Sequence, residues 1–237
     1  MHTHKTISIL LLFPAFYLIS CNGNGQQGAL TEGQGQAKQK IDSLQKVASQ
    51  TARSYKDMDN PTLLNKLMEQ SKQKKEPFNS LAYRELQTRT NVDPEALSAL
   101  IRDSKNADAL LPLLLLRKLN NAAYLRLPMQ LRIGTLTDAL NKSKYFNTWG
   151  IPPFYLQDAS RAMLELDTTA FPALRRMLAD TRPAPVFGSK EYMIYQRYQY
   201  RLCDYALFFL KNLQGNRNFA MPPTPAGRDS LISALRY

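Results

Sequence analysis

Three times in this chain a capping residue stands ahead of a proline and an apolar run at helical spacing. These are Asn60-Pro61-Thr62 before LLNKLMEQ, Asp93-Pro94-Glu95 before ALSALIRD, and Thr224-Pro225 ahead of LISAL. A short polar side chain satisfies a first-turn N–H, and proline, which has no N–H to satisfy, fits the first helical position. Between these starts, apolar residues recur at three and four: Leu97, Leu100 and Ile101; Ile133, Leu136 and Leu140; Leu202, Ala206, Phe209 and Leu213. Alternating runs bounded by hairpin turns are missing. The pattern predicts an all-α body of about eight to ten short helices.

The N-terminal end has a different character. Polar MHTHK precedes an apolar run, Thr6 to Ile19, broken only by Ser8 and Pro14. That run is shorter than the about 20 residues a membrane-spanning helix needs, but it suits the apolar core of a secretory signal. It ends on Leu18-Ile19-Ser20-Cys21, which resembles the lipobox of bacterial lipoproteins. The resemblance implies a signal peptide over residues 1–20, cleavage before Cys21, a diacylglycerol thioether on its sulfur and acylation of the new amino group. The alternative is an ordinary secretory signal in which Cys21 is incidental. Asn22 to Ala37 is rich in Gly, Gln and Asn, so residues 21–37 read as a flexible tether and 38–237 as the folded domain. Asn22 after the cysteine suggests, by the best-known sorting scheme, the periplasmic face of the outer membrane. With Cys21 acylated, Cys203 is the one remaining thiol, and both histidines, His2 and His4, leave with the signal. The usual general base and zinc ligand are then missing from the mature chain.

Within the body, ALSALIRD (Ala96–Asp103) and ALRRMLAD (Ala173–Asp180) share a spacing and lie about two periods apart on the roughly 40-residue unit of helical-pair solenoids. Asp158 to Asp180, DASRAMLELDTTAFPALRRMLAD, resembles the junction between two HEAT repeats: a helix with small residues, a tight turn at Asp167-Thr168, then a second helix. The resemblance implies either a HEAT-like helical-pair solenoid or a compact helical array. It also gives Asp180 and Arg201 the role of inter-helix polar contacts. In that family an arginine and an Ala-Leu-rich helix follow closely. Here they arrive late, in YRLCDYALFFLKNLQG, so either a loop is inserted or the second helix begins near Ser189 and runs long. On the second reading Tyr192, Tyr195, Tyr198, Tyr200 and Tyr205 line one long helix with their rings in the core.

Chemistry is sparse. No phosphate-cradling glycine loop, no nucleophile elbow and no calcium-loop spacing occurs, and neither a cofactor nor a metal is expected. Asp158, Glu165, Asp167, Asp180, Glu191 and Asp204 are available as carboxylates, but no spacing marks a catalytic pair. The expectation is a binding protein and not an enzyme. Cys203 reads as a small buried hydrophobe. YFNTWGIPPFYL holds Trp149, Phe154 and Tyr155 beside two prolines that force extended chain. It reads as an inter-helix loop whose aromatics either form a rigid binding lip or plug the core. With Arg175, Arg176 and Arg182 these three make the candidate partner surface. The net charge of +12 is spread along the chain and crowds at KLMEQSKQKK, Lys66 to Lys75. Besides an envelope protein, anionic lipid or lipopolysaccharide phosphate therefore suits as a partner. Nucleic acid does not fit a secreted, anchored chain. The lipobox makes one outcome testable: Cys21→Ala is expected to leave the chain unacylated and release it from washed membranes, read by fractionation and immunoblot.

Overall fold

The computed structural model describes residues 27–235, and the helical pattern runs through them. Twelve α-helices, three short 3₁₀ turns and one two-residue hairpin make up the regular structure among the described residues, so the chain is an all-α helical array. The signal segment, Cys21 and the first part of the tether lie outside the described residues. The chain divides into two units between Gln50 and Thr51. In the first, the described structure is one helix, α1 (Gln27–Lys56), which continues into the second unit. It starts ahead of Lys38 and so takes in the later part of the stretch that composition reads as tether. Ile41 and Leu44 on it are exposed.

In the second unit α2 (Asn60–Lys72) starts one residue earlier than the sequence suggests. Its cap is Asp59, whose carboxylate accepts the Thr62 N–H at 2.9 Å. Asn60 instead donates to the Asn91 carbonyl and accepts from Arg89. After α3 (Leu81–Leu86), α4 (Pro94–Asp103) begins at the expected proline with Asp93 as its cap. Then comes α5 (Leu110–Leu119), buried on every side from Leu111 to Leu116. A helix that is apolar all round has no solvent face and must sit inside others. α6 (Asn121–Arg126), α7 (Met129–Lys142) and α8 (Asp158–Met163), together with α2 and α4, enclose it. Each wholly buried leucine contributes about 1.5–3 kcal/mol relative to an exposed one.

The stretch resembling a repeat junction folds as two helices about a tight turn. α8 leads into a 3₁₀ turn at Thr168–Ala170, whose cap Asp167 accepts the Thr169 N–H at 2.8 Å, and α9 (Phe171–Met177) follows. α9 packs on a second fully enclosed helix, α11 (Leu202–Leu213), in which every residue from Leu202 to Leu210 is buried. Between them the expected long helix is corrected. α10 (Ser189–Tyr198) begins at the anticipated serine but stops at Gln199, a non-glycine residue in the left-handed region with φ 51°. The tyrosines are therefore divided. Tyr192, Tyr195 and Tyr198 ride on a helix with no buried residue; Tyr198 packs on the core from its edge, and Tyr200 and Tyr205 are buried in it.

Backbone bonds from Ala184, Leu202 and Cys203 tie residues 200–203 to the segment 180–184, and the carbonyls freed at the break are taken up by Arg228 on α12 (Pro225–Leu235), which is wholly buried. Its Nη2 donates to the carbonyls of Tyr198 and Gln199 at 2.7 and 3.3 Å, and Nη1 to those of Pro222 and Pro223 at 3.1 and 3.2 Å. Nε lies 3.0 Å from Oδ2 of the equally buried Asp204, a charge contact without hydrogen-bond alignment. Asp204 opens α11 by accepting the Arg201 N–H at 2.8 Å, and the Arg201 guanidinium spans Asp204 and Asp229, the latter at 2.6 Å. Arg201 thus joins α11 to α12. Asp180 holds Arg182 instead.

The proline-containing loop is also more ordered than an extended linker. Gly150–Ile151 and Tyr155–Leu156 form an antiparallel hairpin, with Gly150 opposite Leu156. Gly150 has φ 80°, and a Cβ there would collide with the Tyr155 carbonyl oxygen. Tyr205 donates its hydroxyl to the Gly150 carbonyl, which pins the hairpin to α11. Because removing one partner of a buried ion pair leaves an uncompensated charge, Asp204→Ala is expected to lower the unfolding free energy by about 3–5 kcal/mol. Replacing Arg228 by Met in the same chain should not recover that loss, because the guanidinium also satisfies the carbonyls of Tyr198, Gln199, Pro222 and Pro223; both are read from urea midpoints.

Candidate functional site

α2 ends in an unusual way. The Lys75 N–H bonds the Gln70 carbonyl at 3.1 Å and the Lys74 N–H bonds that of Ser71 at 2.8 Å, the two hydrogen bonds of a Schellman cap. The left-handed position of such a cap favours glycine, yet here it is Lys74, with φ 54°. The chain then turns into a 3₁₀ segment, Pro77–Asn79, and this corner faces the C-terminal end of α7 and the loop that follows it.

Between the two lies a cavity of about 330 Å³. Leu110, Leu111, Ala139 and the fully buried Trp149 supply apolar lining, and Lys74, Lys75, Lys142 and Lys144 supply its cations. Trp149 is held by donating Nε1–H to Ser143 at 3.1 Å, while Ser160 donates to its carbonyl at 2.6 Å. Of the lysines, Lys142 pairs with Asp138 at 2.8 Å. Lys74, Lys75 and Lys144 are exposed and have no carboxylate within ion-pair distance among the described residues.

A second cleft, of about 480 Å³, shares Glu76 and Tyr145 with the first. Its apolar wall is Phe78, Tyr145 and Phe187, which are 55%, 53% and 50% exposed. Tyr145 and Phe187 meet edge to face at 5.0 Å. Phe187 is fixed by a reciprocal pair with Asn147: its N–H donates to Oδ1 at 3.0 Å, and Nδ2 donates to its carbonyl at 2.6 Å. The two clefts adjoin through the shared walls of Glu76 and Tyr145, and the pair, hereafter the groove, is cationic on one side and aromatic on the other.

Glu76 stands at the junction. Burial pushes its carboxyl from an ordinary 4.5 up to about 7, against the pull of the Thr148 backbone N–H, and Oε2 has no hydrogen-bond partner. The wall of the groove therefore holds a carboxyl that titrates well above the ordinary carboxylate range.

The residues singled out from sequence do not gather at one surface. Trp149 takes the core of the two places open to it: it is wholly buried and contributes to the groove only as lining. Phe154 is exposed but packs against Tyr198, the rings tilted and their centroids 4.8 Å apart. Tyr155 beside it is half-buried, and burial, helped by Glu191, pushes its phenol up to about 12. Arg175 and Arg176 project from α9, with Arg176 bordering a polar cleft that includes Asp138, Asn141 and Asp180. Arg182 is occupied by Asp180 and by the Asn141 carbonyl at 2.9 Å. The groove itself was missed. Its signal was the lysine cluster ending at Lys75, which could be placed only once Lys144 was brought opposite.

The carboxylates considered for catalysis are dispersed. Asp204 lies in the Arg228 contact, Glu165 pairs with Arg117, and Thr169 and Arg182 hold Asp167 and Asp180 below the usual carboxylate range. Burial pushes the Cys203 thiol up to about 12, which makes it inert as a nucleophile at neutral pH. Among the described residues no group of His, Cys, Asp and Glu is placed to hold a metal, and no helix is long and apolar enough to cross a membrane. No protein-family model, curated protein or solved structure matches the chain.

The Glu76 carboxyl gives the fold a pH signature. Its proton is held more tightly in the folded state, so its contribution is complete below about pH 4.5 and lost as the pH rises through about 7. Between pH 5 and 8 the unfolding free energy is expected to fall by roughly 2.5 kcal/mol on this account. Glu76→Gln should flatten that slope and be the more stable form at pH 8, as measured by urea denaturation across the range.

Proposed function

We propose that the chain is a lipid-anchored binding module of a bacterial cell envelope, whose all-α body docks another envelope protein and performs no reaction of its own. Cys21 is the acylated residue, the Gly- and Gln-rich stretch after it contributes reach, and the periplasmic face of the outer membrane is its location. The observation that carries the binding reading is the groove: a concave, partly apolar surface with exposed aromatics, which are enriched where partners bind. Among the described residues Glu76 is the one acidic side chain that lines either cleft, so its ionisable wall shows no carboxylate pair there. The HEAT-like reading is supported by the α8–α9 pair about its capped turn and by the packing of α9 on α11.

A second reading, the binding of anionic lipid or lipopolysaccharide phosphate, draws on the same lysines. In-cell crosslinking of the wild-type chain and of Cys21→Ala, followed by membrane purification and mass spectrometry, separates the two. The protein-docking reading requires one dominant polypeptide at near-stoichiometric yield with the anchored form. Recovery of lipid or lipopolysaccharide alone would replace it with the second.

A further inference from the structure

We propose that the groove docks an acidic segment of the partner polypeptide, with its carboxylates on Lys74, Lys75 and Lys144 and an apolar side chain against Phe78, Tyr145 and Phe187. This rests on the protein-docking reading and says which surface does the docking and what it recognises.

Charge comes first. Lysine at a helix C-terminus is ordinary, since it answers the partial negative charge there. But Lys74 and Lys75 lie past the end of α2, and Lys144 past the end of α7. Three cations without a carboxylate partner thus border one cavity from two separate elements. Clefts lined by one sign of charge concentrate the opposite sign.

The apolar half narrows the class of ligand. Three half-exposed aromatic rings side by side are costly in water, and cover by an apolar side chain would remove that cost. A bilayer surface is broad and cannot enter a concave cleft, whereas a protruding polypeptide segment can. A single extracted lipid would need an enclosed apolar chamber for its acyl chains, and this groove is open along its length with Ser71, Gln73 and Asn79 in its walls. Glu76 at the junction further opposes an anion deep inside. Acidic groups are thereby kept at the lysine end, and an uncharged side chain suits the aromatic end.

Lys74 adds an independent mark. Holding a residue with a Cβ in the left-handed region costs about 1–2 kcal/mol, which glycine would avoid. Strain of this kind persists where the surrounding structure imposes it, and it clusters at functional sites. Lys74→Gly therefore separates binding from folding, because it should weaken docking while raising the melting temperature.

The test places a photo-crosslinking benzophenone residue at Tyr145 or Phe187 of the full chain in cells, with the exposed Leu125 as the remote control. The adducted segment is identified by mass spectrometry, synthesised as a peptide and titrated against the purified chain. The single tryptophan, Trp149, lines the cavity and reports occupancy through its emission. The proposal expects adducts from Tyr145 and Phe187 but not Leu125, a segment carrying Asp or Glu, and a saturable Trp149 response. That affinity should fall at least about tenfold when Lys74, Lys75 and Lys144 are all changed to Glu, with a smaller loss for the three Gln changes and unchanged circular dichroism. Adducts from Leu125 alone, a segment without acidic residues, or an affinity indifferent to charge reversal would overturn the groove while leaving protein docking intact. Adducts to lipid only, from every position, would overturn both.

Discussion

A single buried guanidinium decides where the C-terminal half of the chain turns. Arg228 gathers carbonyls from the end of α10 and from the Pro222–Pro223 turn, lies 4.8 Å over the Tyr200 ring, and meets the Asp204 carboxylate that opens α11. Helix ends leave carbonyls without partners, and burying them unsatisfied is expensive. Here the guanidinium fork satisfies several at once, so α10 can stop beside the core where no glycine is available. Buried ion pairs seldom add much net stability over a packed apolar substitute. The arrangement is better understood as fixing one geometry among several, since the sequence from Ser189 to Gly215 has little else to forbid a continuous helix.

The contrast between what was legible and what was not follows from range. The starts of α4 and α12 were visible because a cap, a proline and an apolar run are neighbours in sequence. α2 was visible for the same reason, although two adjacent polar residues, Asp59 and Asn60, competed for the capping role and the more acidic one took it. The break at Gln199 was invisible because the group responsible lies 29 residues further on. The hairpin at Gly150 escaped because two-residue strands leave no alternation to detect. Trp149 was readable as either lip or core, and burial decides for the core. The groove needed two lysine groups, Lys74–Lys75 and Lys142–Lys144, to be placed opposite each other. Periodicity carries no information about that.

Several features that run against local preference lie together, although Gln199, also in the left-handed region, sits apart at the end of α10. A lysine in a glycine conformation, a carboxyl raised by burial and three half-exposed aromatic rings border two adjoining clefts. Sequences that fold well are consistent from the local level to the global one, and departures from that consistency concentrate where a surface has work besides folding. The basic charge of the whole chain points nowhere in particular. Its unpaired residue at position 144 and the corner at 74–75 give it a direction.

The enclosure of α5 has a consequence of its own. In an open stack of repeats each unit touches only its neighbours, so the stack can lengthen, shorten or melt from one end. A helix whose leucines from Leu113 to Leu116 contact partners on every side belongs to no single unit. Loss of any one surrounding helix strips its cover, which ties their fates together. The second unit should therefore come apart in one transition, not repeat by repeat, and evolution could neither add nor delete a helical pair there without rebuilding the middle. Diversification is left to the periphery, where α10 has no buried residue and meets the core only through partly buried side chains such as Ile194 and Tyr198.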